Sequence, residues 1–431
     1  MITMTNWQDL SVTERQQRLA RPKQNLRFKE QVETIINLVK TEGDKALLAY
    51  TREFDGIDLS ALQVNPKAIK TAEISTQAIQ ALTTAIQTIT TYHQALMPTP
   101  SQVITAKGVS IERVYRPISS VGLYVPGGNS TPLVSSLLMQ AIPARVAGCP
   151  IKILCTPPNT SGMIDPHLLV AARLCEIETI YQIGGAQAIA AMAYGTESVP
   201  KVDKLFGPGN SYVTEAKTQV SADPAGAAID MPAGPSEVMI VADDQANPAF
   251  IAADLLAQAE HGIDSQVFLI CESKRFADKV NQALKQQLLS LSRQTIINES
   301  LKQSAILVCT ERAEQIKIIN HYAPEHLIIH CSDAPDWVPA VTAAGTIFLG
   351  EWAAETMGDY VTGSNHVLPT NGYARNHSGL STLDFLKTIS VQSITAEGLQ
   401  NLGEAALTLA HIEGLEAHAN AVQLRLTTLE S

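Results

Sequence analysis

Three polar residues close an otherwise apolar helical stretch. In DLLAQAEHG (254–262), Leu255, Leu256, Ala257 and Ala259 suit a core, whereas Gln258, Glu260 and His261 bring hydrogen-bonding and metal-binding groups. At helical spacing Gln258 and His261 share a face, with Glu260 on another. An imidazole and an amide oxygen on one face suit a borderline metal ion. Two further ligands must come from far along the chain. Asp359, His366 and His418 are candidates that spacing does not rank, and a histidine that only caps the helix end explains the same residues. A second cluster is APEHL, where Glu325 and His326 precede an apolar run. Adjacent side chains point different ways, so the pair offers two separate proton-transfer groups, one for a substrate and one for water. A polar surface turn is the plain alternative.

These groups need a scaffold. The chain has 431 residues, enough for two or three domains. The first hundred residues read as helical. SVTE (Ser11 to Glu14) is a capping box, and Val32, Ile35, Ile36 and Val39 recur at helical spacing. From SVGLYVPGG onward short apolar runs (IKILC, TIYQIGG, VDKLFGPGN) alternate with Ala-rich helical stretches, the βαβ signature of a parallel sheet. DPAGAAIDMPAGPS (223–236) interrupts the rhythm with Gly and Pro. The alternation restarts with EVMIVAD, SQVFLIC, SAILVC, EHLIIHC and GTIFLG. This predicts two α/β units joined by a hinge near residue 236. Beyond Leu380 the pattern returns to helix, as a tail that must dock on the body or on a partner subunit.

Ligands of open parallel sheets bind beyond the carboxyl ends of the strands. That rule points to the turns PGGNS, GGAQA and GPGNS, and in the second unit to PEHL and GDYVTGSNHVLPT. Gly184, Gly185, Gly207 and Gly209 stand where strands give way to helices, and backbone amides there can receive a pyrophosphate. No GxGxxG occupies these turns, and the glycines serve tight turns equally well.

A net charge of −11 argues against a nucleic-acid partner. No apolar run reaches the roughly 18 residues of a membrane span, and MITMTNWQDL lacks a signal-peptide pattern. A soluble cytoplasmic protein is expected. The six cysteines, Cys149, Cys155, Cys175, Cys271, Cys309 and Cys331, form no CxxC pair and sit mostly in apolar runs. They read as buried, inert thiols.

The stretch from Ile229 to His261, IDMPAGPSEVMIVADDQANPAFIAADLLAQAEH, resembles the signature of the histidinol dehydrogenase family. SVGLYVPGG, GGAQAIAA, FGPGN, YAPEHL, GDYVTGSNHVLPT and EAHANAV follow in family order, so the resemblance covers nearly the whole chain. ARNHSGL (374–380) departs from it at Asn376 and His377. The resemblance implies NAD-dependent oxidation of L-histidinol to L-histidine through L-histidinaldehyde, with one zinc ion per subunit. It implies two incomplete Rossmann-like units with parallel sheets, an N-terminal helical arm (1–22) and a C-terminal helical tail (381–431). One domain would be discontinuous, 23–123 with 237–380, the N-terminal helices packing with the second unit. The other, 124–236, would lie on the NAD side.

By the same resemblance Gln258, His261 and Asp359 bind zinc. His418 completes the set from the partner subunit of a homodimer with shared active sites. Ser236, Glu413, His326 and the metal ligands contact substrate, and Tyr124, Gln187 and Asn210 hold NAD. His326 is the proton-transfer base, and Glu325 activates the water that the aldehyde step requires. Glu260 receives no ligand role, only a structural or second-sphere hydrogen bond. A dehydrogenase of another amino alcohol, a zinc hydrolase built on Glu325, and a non-catalytic metal-binding protein are the rival readings.

Overall fold

The computed structural model describes residues 2–22, 27–127, 132–231 and 234–430. Gly128, Asn129 and Ser130 of the first glycine turn, and Pro232 and Ala233 of the connecting segment, lie outside the described residues. The apolar runs form two parallel sheets. The larger has six strands in the order Thr3–Asn6, Ala305–Val308, Gln266–Cys271, Glu237–Ala242, His326–His330, Thr346–Leu349. EVMIVA and QVFLIC are buried along their whole length, as parallel strands must be when helices cover both faces. Ile251, Leu255, Phe276, Val280 and Leu301 cover one face. Trp7, Ile318, Ile319, Tyr322 and Trp337 cover the other.

The smaller sheet orders Thr179–Tyr181, Ile151–Cys155, Ser120–Tyr124, Lys204–Phe206 and Ala228–Ile229. Its two faces are covered partly by the N-terminal helices. Val32, Ile35, Ile36 and Val39 pack with Ile153, Tyr181 and Leu205 on one side. Ala85 and Ile89 pack with Leu123, Leu137 and Phe206 on the other. These helices therefore enclose the five-stranded sheet, not the second unit as the resemblance implied. The boundary between residues 123 and 124 falls inside the central strand Ser120–Tyr124. The reason is apolar area: strands of that sheet are buried on both faces, and too few of its own helices exist to cover them.

Two further corrections concern the ends. The arm contains the strand Thr3–Asn6 before its helix Val12–Arg18, whose capping box forms as the sequence predicts, with Ser11 N–H donating to Glu14 Oε2 at 2.8 Å. The segment after Leu380 is not all helix. Leu386–Ile394 is a strand, antiparallel to Val109–Pro117, which also pairs with Ser101–Ala106. Helices Ala396–Ile412 and Glu416–Glu430 follow. Among the described residues no helix is long and apolar enough to cross a membrane.

Candidate active site

A cleft of about 460 Å³ lies between the two sheets. The five-stranded sheet contributes residues that follow its strands: Pro126 after Ser120–Tyr124, and Pro208, Gly209 and Asn210 after Lys204–Phe206. This is its carboxyl edge, as the sheet rule predicts. The six-stranded sheet does the opposite. Ser236 precedes the strand Glu237–Ala242, and Glu325 precedes His326–His330, so the cleft meets its amino edge. Helix Pro248–Ala259 runs back against the sheet and ends there, delivering Gln258 and His261. Its start is fixed by Pro248 in the first turn and by Asn247, whose side chain accepts the Ala249 N–H at 2.9 Å.

The structure brings Ser236, Gln258, His261, Glu325, His326, Asp359 and Asn210 to this one cleft. Glu325 and His326 both hang on the backbone of one residue, Glu237. The Glu237 N–H donates to Glu325 Oε2 at 2.8 Å, and the Glu237 carbonyl lies 3.1 Å from His326 Nδ1. A carbonyl only accepts, so His326 Nδ1 carries the proton. Nε2 is left with a lone pair, buried, without a hydrogen-bond partner, and 3.8 Å from Asp359 Oδ1. Burial pulls the His326 imidazole down to about 4, against the pull of Asp359. Burial also pushes the Glu325 carboxyl well above its usual range, opposed by the Glu237 N–H. Ala323, two residues earlier, is a non-glycine residue at φ 53°, in the left-handed region. Such a backbone costs about 1–2 kcal/mol, and here it turns the chain from helix Arg312–Tyr322 into Pro324 and Glu325.

Glu355 also belongs to the site. It is buried on helix Glu355–Tyr360, four residues before Asp359, and lies 3.7 Å from His326 Nδ1. Burial, then Asp359 and Glu325, push its carboxyl well above the usual range. His326, Glu355 and Asp359 offer ligand atoms within 4.8 Å of one another. With its amide turned to satisfy both ends, Gln258 donates to Glu355 Oε2 at 3.1 Å and accepts from the Glu237 N–H at 3.3 Å. His261 opens to the cleft, and the protein around it lowers its imidazole, against the pull of Asp359 and Glu260. Three acids facing histidines lowered by burial make the floor a place for a cation.

On the opposite wall Tyr124 and Gln187 are buried and do not line the cleft. The Tyr124 hydroxyl accepts the Gly185 N–H at 3.0 Å. Asn210 caps helix Ser211–Ala222 by accepting from Tyr212 and Val213, each at 3.1 Å. The turn before it is held by a buried Lys217–Asp230 ion pair. Lys217 donates to the Gly207 carbonyl at 2.8 Å, and Asp230 accepts the Gly207 N–H at 2.9 Å. Glu413 and His418 are exposed on the tail and do not line the cleft. None of the six cysteines lines it either, and burial pushes Cys149 up to about 11 and Cys175, Cys271 and Cys331 to about 12.

The histidinol dehydrogenase family profile matches residues 19–426. The chain belongs to the histidinol dehydrogenase family. It is 64% identical to the histidinol dehydrogenase of Legionella pneumophila subsp. pneumophila strain Philadelphia 1 over the whole of both chains. It is 48% identical to that of Colwellia psychrerythraea over 98% of each. The crystal structure of histidinol dehydrogenase from Elizabethkingia anophelis superposes with a TM-score of 0.95 at 43% identity, covering 100% of this chain and 99% of that one. The protein is thus an oxidoreductase, and Asn376 and His377, the local departure from the family, are exposed and outside the cleft.

Three polar residues are not marked by the sequence patterns above: the buried Glu237 and Glu355 and, in the arm, the partly buried Arg21. A carboxylate at the fourth position before Asp359 was the available signal for Glu355, because i and i+4 share a helix face. Glu237 opens an apolar strand as its single charge, which is the corresponding signal there.

Proposed function

We propose that the chain oxidises L-histidinol to L-histidine through L-histidinaldehyde, with two NAD⁺ as hydride acceptors. The observation that carries this reading is the Glu237 backbone, its N–H and its carbonyl together. It holds a carboxyl group and a neutral imidazole side by side at the cleft, with His326 Nε2 left without a hydrogen-bond partner. A primary alcohol loses one hydride and one proton to become an aldehyde, and His326 takes that proton. The aldehyde has no hydroxyl to deprotonate, so water must add first. Glu325 takes a proton from that water, and the hydrate then loses the second hydride. Each such group contributes about 10²–10⁴-fold. A thiohemiacetal route lacks a nucleophile, since every thiol lies outside the cleft.

Gln258, His261 and Asp359 fit zinc by donor chemistry, and the buried acids around them supply the compensating charge. His418 of the partner subunit completes the set in a homodimer. Bound there, zinc supplies a positive anchor for the imidazole and amine of the substrate. Glu355, donating nothing itself to the set, holds the Gln258 amide in place. Asn210, with Tyr124 and Gln187 behind it, holds NAD⁺ at the carboxyl edge of the five-stranded sheet. Ser236, and Glu413 of the partner subunit, contact substrate. The tail supports this exchange: Leu409 is 61% and Ile412 75% exposed, apolar area that a second copy would cover.

Absorbance of NADH with histidinol tests the reading. Two NADH per histidinol, abolished by a chelator, are expected; hydrolysis without NAD⁺, or a single NADH, overturns it. Mixing His418→Asn chains with His261→Asn chains tests the sharing. Each alone is inactive, and the mixture recovers activity because a heterodimer holds one intact site; no recovery argues for sites built within one chain.

A further inference from the structure

We propose that Arg21, in the N-terminal arm, is a positioning residue for the reaction: its guanidinium locks Glu237 and thereby sets both Glu325 and His326. The proposal rests on the roles given to those two residues above.

Arg21 follows the helix Val12–Arg18 and reaches across to the start of the strand Glu237–Ala242. Its Nε lies 2.5 Å from Glu237 Oε1 and its Nη2 2.8 Å from Oε2, a two-pronged, charge-assisted pair. The same Nη2 donates to the Tyr322 carbonyl at 2.7 Å, at the carboxyl end of helix Arg312–Tyr322. The guanidinium carbon sits 4.0 Å from the centre of the Tyr322 ring. Glu237 Oε1 further accepts the Asn371 N–H at 3.0 Å.

One guanidinium therefore grips both supports of Glu325. It holds the helix end from which the chain turns, at left-handed Ala323, into Pro324 and Glu325. It also holds the residue whose N–H binds the Glu325 carboxyl and whose carbonyl fixes the His326 tautomer. Glu237 is the charged exception in a strand whose other residues are all apolar. Its side chain is 3% exposed and that of Arg21 17%. A buried ion pair is seldom the most stabilising choice, because an apolar pair of the same volume avoids the desolvation cost. What the pair supplies is orientation. A carboxylate held at both oxygens cannot rotate, which fixes the Glu237 Cα and with it the direction of the N–H and the carbonyl on either side. Lysine cannot reproduce the grip, since an ammonium has neither the planar fork nor the flat face that stacks on Tyr322.

The test uses the full-length, zinc-loaded protein carrying Arg21→Lys, Arg21→Ala, Glu237→Gln, or Arg21→Lys with Glu237→Gln. Histidinol and histidinaldehyde oxidation, bound zinc and the thermal midpoint are measured for each. Arg21→Lys is expected to keep its zinc and its KM values within about twofold, and to lose about 10- to 100-fold in kcat on both steps. The double variant is expected to be no slower than its slower parent, and millimolar guanidinium to restore part of the Arg21→Ala rate. An unchanged kcat in Arg21→Lys overturns the proposal. So does a loss that only follows the folded fraction or the bound zinc, or a double variant whose losses multiply. If Arg21→Ala does not fold, Arg21→Lys and the double variant decide. Glu325→Gln and His326→Gln separate the two readings. Parent rates in both would sink the catalytic assignment and the proposal with it; slow controls beside a fast Arg21→Lys would sink the proposal alone.

Discussion

The five-stranded sheet presents its carboxyl edge to the cleft, where helices Val134–Ala147 and Ser211–Ala222 begin, and the six-stranded sheet presents its amino edge, where helices Pro248–Ala259 and Arg312–Tyr322 finish. Helix starts carry about half a positive charge and helix ends about half a negative one. One wall thus favours an anion such as a pyrophosphate, and the other favours a cation. The same strand–helix unit does two opposite electrostatic jobs according to which end it offers. Its polar residues follow suit. The first wall offers backbone amides and an amide cap, the second Glu325, Glu355, Asp359 and two imidazoles.

The comparison is broken most severely on the amino-edge wall. Glu325→Gln is expected to slow histidinaldehyde oxidation by about 10²–10⁴-fold while alcohol oxidation survives; equal losses in the two steps, assayed separately, would remove the division of labour between Glu325 and His326. A paired experiment sharpens the contrast between walls. His261→Asn should lose zinc affinity by at least about tenfold and keep NAD⁺ binding, whereas Asn210→Ala should weaken NAD⁺ by roughly three- to thirtyfold, the worth of a helix cap, and keep zinc. Metal analysis and cofactor titration on both variants check this, and cross-effects of equal size would mean that the walls are not separate.

Gly207→Ala acts on the carboxyl-edge wall alone. Gly207 sits at φ 122°, and an added Cβ would strike the Tyr124 carbonyl and the Gln140 side chain. A cost of about 1–3 kcal/mol is expected, seen as a lower thermal midpoint and a raised KM for NAD⁺ with zinc content unchanged. The last effect is absent at neutral pH and concerns acid. His93 is buried beside Thr382, 3.2 Å from its hydroxyl, and burial pulls its imidazole down to about 4. The native state resists protonation that the unfolded chain accepts near 6.5. Stability is therefore unaffected above about pH 6.5 and falls as pH drops from there towards 4, by up to about 3 kcal/mol. His93→Gln should flatten that slope in denaturant melts; an unchanged slope would place the acid sensitivity elsewhere.

The alternation of apolar runs with helical stretches was enough to read two parallel sheets, and one helix face was enough to pair Gln258 with His261. What escaped the sequence has physical causes. Edge orientation is invisible to a pattern of burial, because a parallel strand is apolar along its whole length and says nothing of which end a ligand meets. LKTISVQSI is β-branched enough for a strand, but its residues are mostly exposed and lack the apolar run that marked the others. Thr3–Asn6 is four residues long, too short to show a period. Arg21 and Glu237 lie far apart in sequence, and only folding brings the two charges together.

The pairing of Thr3–Asn6 with Ala305–Val308 also governs the order of events during synthesis. About three hundred residues must leave the ribosome before this strand meets its neighbour, and closing so long a loop is slow. Arg21 waits on the same docking. The nascent chain can therefore assemble its five-stranded sheet early, whereas the contacts of Arg21 with Glu237 and Tyr322 form only when the arm returns to the six-stranded sheet.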